Sequence, residues 1–327
     1  MTKKIAIIGA GAWGTALAIR IAANGYETIL WSRNSELALH INKAQENKPY
    51  LPGIKLPKNI KVVSDFADIS AAKGIFLAVP SQHLREICEQ IATNAPLIIC
   101  CKGIEENSLK LMSEIVEEIF PKNPVAVLSG PNFASEIAAG FPAAATLACE
   151  NKKTGEEIAK ILASNIFRIY QSTDIISAEV GGAVKNVIAI ACGVAMGKDY
   201  GENARAALIT RGLAETMRLA VKLGGKPGTL MGLTGIGDLV LTCSSLKSRN
   251  MSLGYELGKG GDLAKILKNR GHKVTEGVAS ARSVAMLAKK LGIEMPISAA
   301  VYAILHEGAD IDKTVSALLE RSPKEEF

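Results

Sequence analysis

Near its start the chain reads Lys4-Ile5-Ala6-Ile7-Ile8-Gly9-Ala10-Gly11-Ala12-Trp13-Gly14, a short apolar run that leads into the pattern Gly-x-Gly-x-x-Gly. Residues 15–23 have the apolar content of a buried helix, and residues 27–32 have that of a second strand. The glycine pattern alone is weak evidence. Between a strand and a helix, with a second strand inside about 30 residues, it is a strong indication of dinucleotide binding. The stretch therefore predicts a βαβ unit that binds a dinucleotide.

The three glycines of this pattern have separate expected roles. Gly9 would permit a tight turn, Gly11 would let a pyrophosphate approach the backbone, and Gly14 would let the helix pack against the strand. Ala12 and Trp13 would form the helix N-terminus, whose N–H groups and dipole attract phosphates. A glycine-rich turn without a ligand is the simpler alternative, and the surrounding order of strand, loop, helix and strand argues against it.

The residues after the second strand bear on the choice of cofactor. A site specific for NAD would place Asp or Glu there to bind the ribose hydroxyls. This chain has Ser32-Arg33-Asn34 instead, and the Arg33 guanidinium can pair with the 2′-phosphate of NADPH. The alternative is an ordinary solvent-exposed arginine. We predict that NADPH is used at least as well as NADH, and that the Pro-rich loop at residues 47–53, with Tyr50, lies over the cofactor.

Further strands alternate with helical segments through the first half, as in a parallel sheet. They are predicted at residues 60–63, 74–79, 97–101, 125–129, 143–149 and 167–170. Two of them end in polar residues, Lys102 and the segment 129–134, and ligands of open α/β sheets bind at the carboxyl ends of strands. The predicted fold class is α/β, with a Rossmann doubly wound, mostly parallel sheet over residues 1–176.

After about Asp174 the strand pattern disappears, and the remaining sequence predicts helices. Besides the helix that contains Lys185, they are expected at residues 205–223, 254–259, 278–291, 298–307 and 312–319. We therefore predict an all-α C-terminal domain over residues 177–327 that binds the substrate. The polar tail at residues 321–327 is assigned no role.

Lys185 stands among small and apolar residues, in the stretch Glu179-Val180-Gly181-Gly182-Ala183-Val184-Lys185-Asn186-Val187. Side chains lean toward the N-terminus of a helix, so the lysine stem would pass over Gly181 and Gly182 and leave an open notch beside its amine. A lysine that snorkels from the edge of a core helix is the more common case. A catalytic lysine is the alternative, and this stretch alone favours the snorkelling lysine.

Polar residues cluster after a glycine-rich turn in the second half of the chain. Residues 235–237 precede Asp238, and Thr242, Ser248, Arg249 and Asn250 follow. The Arg249 guanidinium with donors beside it suits a phosphate group, because it offers a bidentate fork. A polar connector in which Arg249 only caps a helix is an equally good interpretation of this segment.

Composition excludes several classes of function. The 327 residues carry 38 Lys and Arg against 32 Asp and Glu, a dispersed excess of 6 that argues against nucleic-acid binding and weakly for small anionic ligands. The four histidines are far apart, so no metal site is predicted. The six cysteines form no Cys-x-x-Cys pair and indicate reduced core residues. Since no signal peptide and no uncharged apolar run of about 20 residues is found, we expect a cytoplasmic protein without a membrane span.

Seven segments of the chain carry a resemblance to a known family. They lie at residues 9–15, 101–103, 128–131, 179–187, 203–212, 235–239 and 248–250, in order along nearly the whole chain. Together they resemble the NAD(P)-dependent glycerol-3-phosphate dehydrogenases of the bacterial type. The resemblance implies reduction of dihydroxyacetone phosphate to sn-glycerol 3-phosphate, the backbone precursor of phospholipids. It also implies a Rossmann domain, a helical substrate domain and a homodimer.

The resemblance assigns roles to single residues as well. Lys185 matches the catalytic lysine that donates a proton to the ketone, Lys102 a lysine between cofactor and substrate, and Asp238 an acid of the active site. The matched substrate contacts are Gly130, Asn132, Asn186, Thr242, Ser248, Arg249 and Asn250, and the matched cofactor contacts are Ala134, Arg249, Val274 and Glu276. The chain departs from the family at Asn132, where Ser is usual, and at Cys101, where Thr or Ser precedes the lysine.

Lys185 must be a stronger acid than an ordinary lysine if it donates a proton at neutral pH, because the reference pKa of lysine is about 10.4. Burial and the second cation of Lys102 would lower its pKa, whereas Asp238 would raise it. We expect burial and Lys102 to prevail in the closed site with cofactor bound.

Two other functions agree with part of these features. A different dehydrogenase with a Rossmann and a helical domain, acting on a β-hydroxy acid or a sugar-acid phosphate, would share the glycine pattern and a helix lysine followed by asparagine. It would lack the segments at residues 235–239 and 248–250. A non-catalytic NAD(P) sensor would have no need of Lys102, Lys185, Asp238 and Arg249 together.

Overall fold

The computed structural model describes residues 4–271 and 275–322. The first part of the chain forms one eight-stranded sheet with helices on both faces, and every described element from the seventh helix onward is helical. The predicted α/β Rossmann class with an all-α C-terminal part is confirmed. The predicted domain boundary, between residues 176 and 177, falls in the first turn of the helix that joins the two parts and stays a prediction.

The sheet has the strand order of a doubly wound fold with two extra strands at one edge. The strands are β1 (Lys4–Ile8), β2 (Glu27–Trp31), β3 (Ile60–Val63), β4 (Ile75–Leu77), β5 (Leu97–Ile99), β6 (Val125–Ser129), β7 (Ala143–Ala148) and β8 (Phe167–Ser172). They are ordered β3-β2-β1-β4-β5-β6-β7-β8, and every neighbouring pair is parallel except β6 and β7. The winding reverses between β1 and β4, where such sheets bind ligands at the carboxyl ends of the strands.

The helices divide between the two parts of the chain. Those of the sheet region are α1 (Ala12–Ala23), α2 (Ser35–Ala44), α3 (Leu84–Cys88), α4 (Met112–Ile119), α5 (Ala134–Ala138) and α6 (Lys152–Leu162). Those of the helical part are α7 (Ile175–Gly197), α8 (Gly201–Lys222), α9 (Pro227–Leu230), α10 (Asp238–Cys243), α11 (Arg249–Gly258), α12 (Leu263–Asn269), α13 (Glu276–Leu291), α14 (Pro296–His306) and α15 (Ile311–Leu319).

The central strands are apolar along their length because helices cover both faces of the sheet. In β1, Ile5 and Ile7 belong to the hydrophobic cluster that includes α1, whereas Ala6 and Ile8 belong to the cluster on the opposite face. Successive side chains of a strand point to opposite faces, so one short apolar run supplies both layers of the core. This explains why the strands read as continuous apolar runs in the sequence.

Several helix boundaries differ from those predicted. The helix predicted at residues 254–259 begins at Arg249, because the Ser248 hydroxyl accepts a hydrogen bond from the Met251 N–H at 3.3 Å and caps it. The interpretation in which Arg249 is the cap is therefore wrong, since Arg249 is the first helical residue. The short helices α9, α10 and α12 were not predicted. A π-helical turn, Leu233–Gly237, precedes α10, and its glycines hid the helical pattern.

The helices α7 and α11 approach each other backbone to backbone. Gly193 and Gly197 of α7 face Gly254 and Gly258 of α11. A Cβ placed on Gly254 would overlap the carbonyl oxygen of Ile190, and one on Gly258 would lie 2.9 Å from the Gly197 Cα. Only glycine permits so close a contact, because any side chain would push the two backbones apart.

The helix α7 also links the two parts of the chain. The Glu179 carboxylate accepts a hydrogen bond from the backbone N–H of Ser113 at 2.8 Å, in the first turn of α4. Among the described residues, α7 is the one helix long and apolar enough to cross a membrane by length and composition, and 83% of its most apolar window is buried inside the protein. The helix thus forms the centre of the helical part.

Replacing Gly254 by alanine is expected to destabilise the protein by about 3 kcal/mol, because the added methyl overlaps a backbone carbonyl that cannot rotate away. The free energy of unfolding in denaturant measures this. Gly228→Ala is the matched control, since a Cβ on Gly228 in α9 would meet no atom within 4 Å. Equal stability of the two variants would contradict the close contact between α7 and α11.

Candidate active site

The glycine-rich loop joins β1 to α1 at the carboxyl edge of the sheet. Gly9 has a φ of +114°, and a Cβ on it would lie 2.7 Å from the Ala78 carbonyl oxygen. A Cβ on Gly14 would overlap the Gly9 carbonyl oxygen, so the helix contacts the turn directly. A Cβ on Gly11 would meet no atom within 4 Å, so the space before it is open. With the free N–H groups of the first turn of α1, this geometry fits a pyrophosphate.

The side chains predicted to contact the rest of the cofactor lie near this loop. Ala12 and Trp13 are the first two residues of α1. Arg33 follows β2 and is exposed, while the side chain of the adjacent Asn34 accepts from Leu37 N–H at 2.9 Å and caps α2. Tyr50 is half-buried in the loop after α2. Arg33 is therefore accessible to a 2′-phosphate.

One buried carboxylate is shared by the two candidate lysines. Lys102 Nζ donates to Asp238 Oδ2 at 2.6 Å, and Lys185 Nζ donates to Asp238 Oδ1 at 2.6 Å. The Asp238 side chain is 1% exposed, and those of Lys102 and Lys185 are 20% and 11% exposed. Thr242, one turn later in α10, accepts from Lys185 Nζ at 3.0 Å. Segments of both parts of the chain thus meet at a single carboxylate.

The protonation of this cluster follows from burial and charge. Burial lowers the pKa of Lys185 to about 8, Asp238 opposes this by stabilising the ammonium form, and the Lys102 charge adds to the lowering. Burial acts to raise the pKa of Asp238, but the charges and hydrogen bonds of the two lysines outweigh it and hold that pKa below its ordinary value. Asp238 therefore remains anionic at neutral pH, while Lys185 is a much stronger acid than a free lysine.

The expected open notch beside Lys185 is not present, and that prediction is wrong. A Cβ on Gly181 would lie 2.5 Å from the Thr234 carbonyl oxygen, so this glycine admits the π-helical turn before α10. A Cβ on Gly182 would lie 3.1 Å from the Lys102 Cγ, so this glycine admits the Lys102 stem. The two glycines therefore make room for the turn before Asp238 and for the Lys102 stem, and protein atoms fill the space over them.

The phosphate-binding candidates lie at the start of α11, and they divide into two kinds. Arg249 is exposed as a residue, its guanidinium forms no ion pair with any residue that the structure describes, and partial burial of that group lowers its pKa. Asn250 is buried: its Nδ2 donates to Asn186 Oδ1 at 2.8 Å, and its Oδ1 accepts from the Gly277 N–H at 3.0 Å. Arg249 is therefore available to an anion, whereas Asn250 ties together α7, α11 and α13 and orients Asn186.

The loop after β6 lies against the same cluster. The Gly130 carbonyl accepts from Lys102 Nζ at 3.2 Å, which fixes the lysine over this loop. The Ser129 hydroxyl and the Asn132 carboxamide oxygen are buried without a hydrogen-bond partner. A buried polar atom without a hydrogen bond destabilises the fold, so these two oxygens are available to hydrogen-bond a ligand. Ala134, the remaining predicted contact here, is the first residue of α5.

A second cluster that the sequence did not predict surrounds Glu276. The Ser81 hydroxyl, just after β4, donates to Glu276 Oε2 at 2.9 Å and so joins the sheet region to α13. Burial raises the pKa of Glu276. The hydroxyls of Thr275 and Ser280 nearby in the chain are buried without partners. The available signal for Ser81 was its place at the carboxyl end of the strand next to β1. The predicted contact Val274 lies outside the described residues.

Other chemistries have less support at this place. In residues 4–271 and 275–322 no group of three or more His, Cys, Asp or Glu side chains could hold a metal ion. All six cysteines are unpaired, and all but Cys101 are buried. The site therefore offers positioned ammonium groups and a carboxylate.

A dinucleotide-type loop at the switch point of the sheet, together with a largely buried lysine of lowered pKa on a helical second part, is typical of a nicotinamide-dependent dehydrogenase. The sequence models described as "NAD-dependent glycerol-3-phosphate dehydrogenase N-terminus" and "C-terminus" match residues 4–155 and 174–316. The chain therefore belongs to the NAD-dependent glycerol-3-phosphate dehydrogenase family, as the sequence resemblance predicted.

Individual relatives agree over the full length of the chain. It is 50% identical over 328 residues to the glycerol-3-phosphate dehydrogenase [NAD(P)+] of Caulobacter vibrioides, with 99% of each chain covered. It is 49% identical over 323 residues to that of Parvibaculum lavamentivorans, covering 98% of this chain and 97% of the relative. The crystal structure of the Coxiella burnetii glycerol-3-phosphate dehydrogenase superposes with a TM-score of 0.94 at 40% identity, covering 98% and 99% of the two chains.

Proposed function

We propose that this chain reduces dihydroxyacetone phosphate to sn-glycerol 3-phosphate with NADPH or NADH, reversibly, and so supplies the backbone of glycerophospholipids. The observation that carries the proposal is the convergence of Lys102 and Lys185 on Asp238 at the carboxyl edge of the sheet. A non-catalytic sensor has no use for such a cluster. The exposed Arg249 at the start of α11, the helix that packs on α7, favours a phosphorylated ketone over a plain β-hydroxy acid.

Lys185 acts as the proton donor in this proposal. When bound, the nicotinamide supplies the hydride that reaches the ketone carbon. Negative charge then develops on the ketone oxygen, and the ammonium groups of Lys185 and Lys102 stabilise it. Lys185 passes its proton to that oxygen, and a pKa of about 8 makes the ammonium form both present at neutral pH and able to release a proton. Asp238 holds both lysines in position and keeps Lys185 charged.

The substrate phosphate is proposed to lie against Arg249, at the N-terminus of α11. We assign Ser248, Asn186, Thr242, Gly130 and Asn132 to the same substrate site. The buried Asn132 oxygen, which has no hydrogen-bond partner, supports this assignment. The amino and carbonyl ends of the Asn250 carboxamide are both already hydrogen-bonded within the protein. We therefore propose that Asn250 orients Asn186 and does not itself bind the phosphate. At the cofactor end we propose that Glu276 and Ala134 contact the nicotinamide half.

A homodimer in the cytoplasm is also proposed. An open apolar groove of about 1490 Å³ lies between α8, α14 and α15, and α15 has no buried residue. Leu319 of α15 is 81% exposed, and Val221 of α8 is 51% exposed. A second copy of the chain would cover these side chains. A monomer by light scattering at micromolar concentration would contradict this assembly.

The first experiment follows NADPH absorbance with dihydroxyacetone phosphate, for the wild type and for Arg249→Leu. We expect the variant to raise the KM for the phosphorylated ketone by about 100-fold, because the bidentate fork is lost, and to leave turnover of phosphate-free glycerone unchanged. Lys247→Ala is the matched control. It removes a positive charge from the same loop, but the Lys247 Nζ is already paired with Glu136 Oε1 at 2.9 Å. Absence of NADPH oxidation by the wild type would overturn the function.

The pH dependence of the two reaction directions tests Lys185. Reduction needs the ammonium form, so kcat should fall as pH rises through about 8, whereas oxidation of glycerol 3-phosphate needs the neutral amine and should rise through the same pH. Lys185→Met should lose about 1000-fold or more in kcat in both directions while it still binds NADPH. Profiles that change in the same direction for reduction and oxidation would exclude Lys185 as the group that titrates.

The preference for NADPH is proposed to rest on Arg33. Arg33→Ser should lower kcat/KM for NADPH by about tenfold and leave that for NADH nearly unchanged, because only the 2′-phosphate contacts the guanidinium. NADH is the internal control for folding. A wild type that strongly prefers NADH, or a variant that loses both cofactors equally, would contradict this role.

A further inference from the structure

Asn47 is a fully buried polar residue that has no place in the proposed reaction. It is the first residue of the Pro-rich loop between α2 and β3, and it is 0% exposed. Its Nδ2 donates to the Ala10 carbonyl oxygen at 2.9 Å and to the Thr15 hydroxyl at 2.7 Å. Both acceptors belong to the glycine-rich loop and the start of α1. Asn47 lies 32 residues beyond Thr15 in the chain, and its side chain supports the glycine-rich loop through these two hydrogen bonds.

The orientation of this amide is fixed by chemistry. A carbonyl oxygen only accepts hydrogen bonds, so the group that faces Ala10 must be the Asn47 amino group. The Asn47 Oδ1 is buried without a partner in the described structure. Burial of an unpaired oxygen is unfavourable, so the contact of the amino group with Ala10 and Thr15 must offset this cost.

The bond to Ala10 sets the direction of the next N–H group. No peptide bond among the described residues is cis, and in a trans peptide the carbonyl and the following N–H point in opposite directions. Because the Ala10 carbonyl points toward Asn47, the Gly11 N–H points away from Asn47. Gly11 is the N-cap of α1, and the space where its side chain would stand is open. The bond thus presents the N-terminus of α1 to that open space.

Asn47 also positions the loop that carries Tyr50. Its backbone carbonyl accepts from the N–H of Leu51 at 2.7 Å and from that of Tyr50 at 3.2 Å. The ends of this loop are closed by an isolated bridge between Glu46 and Lys55, whose side chains also form an ion pair of 3.0 Å. One residue therefore joins two segments to which cofactor contacts are assigned.

We infer that Asn47 is a positioning residue for the dinucleotide: it sets the peptide between Ala10 and Gly11 for the pyrophosphate and holds the Tyr50 loop against it. This inference rests on the proposed use of NADPH. Asn47 acts on cofactor affinity and has no part in proton transfer. Its contribution therefore lies in the dissociation constant of the cofactor, while turnover at saturation is independent of it.

The test measures NADPH dissociation by calorimetry, together with kcat, the KM for dihydroxyacetone phosphate, and thermal stability, for Asn47→Ala. We expect the dissociation constant to rise about tenfold, because a buried carbonyl and a buried hydroxyl lose their donor. The kcat at saturating NADPH and the KM for the ketone should stay within about twofold of the wild type.

Asn42→Ala is the matched control. The Asn42 side chain also makes two hydrogen bonds: it donates to the Val62 carbonyl at 2.7 Å and accepts from the Val62 N–H at 3.0 Å. These bonds join α2 to β3 away from the glycine-rich loop. We expect it to lower thermal stability by as much as Asn47→Ala and to leave the dissociation constant of NADPH unchanged. Thr15→Val, nearly isosteric, removes one of the two acceptors and should weaken NADPH binding by about threefold even if Asn47→Ala does not fold.

The outcomes separate this inference from the function itself. Wild-type affinity for NADPH in Asn47→Ala, or in Thr15→Val if the former does not fold, would overturn the role of Asn47. An equal rise of the dissociation constant in Asn42→Ala would reduce Asn47 to a structural residue. A wild type that neither binds nor oxidises NADPH would instead overturn the proposed function.

Discussion

The close contact of α7 with α11 is the constraint on which the geometry of the site depends. Glycines at four positions bring two helix backbones together, and side chains on either helix would separate them. The helix α7 carries Lys185 and Asn186, while α11 begins with Arg249 and Asn250. The Asn250 bond to Asn186 spans this contact at 2.8 Å, and it needs the same short distance between the helices. The glycine contact and this hydrogen bond therefore fix the distance between Lys185 on α7 and Arg249 at the start of α11.

The same helix connects the site to the sheet. Glu179 accepts hydrogen bonds from the first turn of α4, and Gly182 admits the stem of Lys102 from the end of β5. Both contacts are made within two turns of Lys185. A shift of the helical part relative to the sheet would therefore move Lys102 away from Asp238. The helix α7 thus contacts both the sheet region and the segment that carries Lys102.

The fold was predicted from the sequence because its signals are local and repeated. A buried strand reads as an apolar run, and the glycine pattern fixes the order of strand, turn and helix around it. Lys102, Lys185 and Asp238 were also predicted as site residues, chiefly from the family resemblance, and the structure brings their charged groups together. The prediction of an open notch over Gly181 and Gly182 was wrong, because a glycine in a sequence indicates space but not which group occupies it. Only the structure places the Thr234 carbonyl and the Lys102 stem there.

Asn47 and Ser81 were overlooked for a related reason. Each is a common polar residue in a loop, and its partner lies far away in the chain, 37 residues for Asn47 with Ala10 and 195 for Ser81 with Glu276. No periodicity or spacing connects such pairs. The Pro-rich loop was assigned to the cofactor on its composition, whereas its link to the glycine-rich loop is a side-chain bond that composition does not reveal.

The acid strength of Lys185 is a property of the whole arrangement. Burial has the largest effect on its pKa and alone would favour the neutral amine, which has no proton to give. Asp238 opposes burial, but it must share its charge with Lys102, and a carboxylate bound to Lys185 alone would hold the proton more firmly. The result is a pKa of about 8, between a lysine that is uncharged at neutral pH and one that does not release its proton. The positive charge of Lys102 thus adds to the lowering of the Lys185 pKa, and Lys102 shares the Asp238 carboxylate with it.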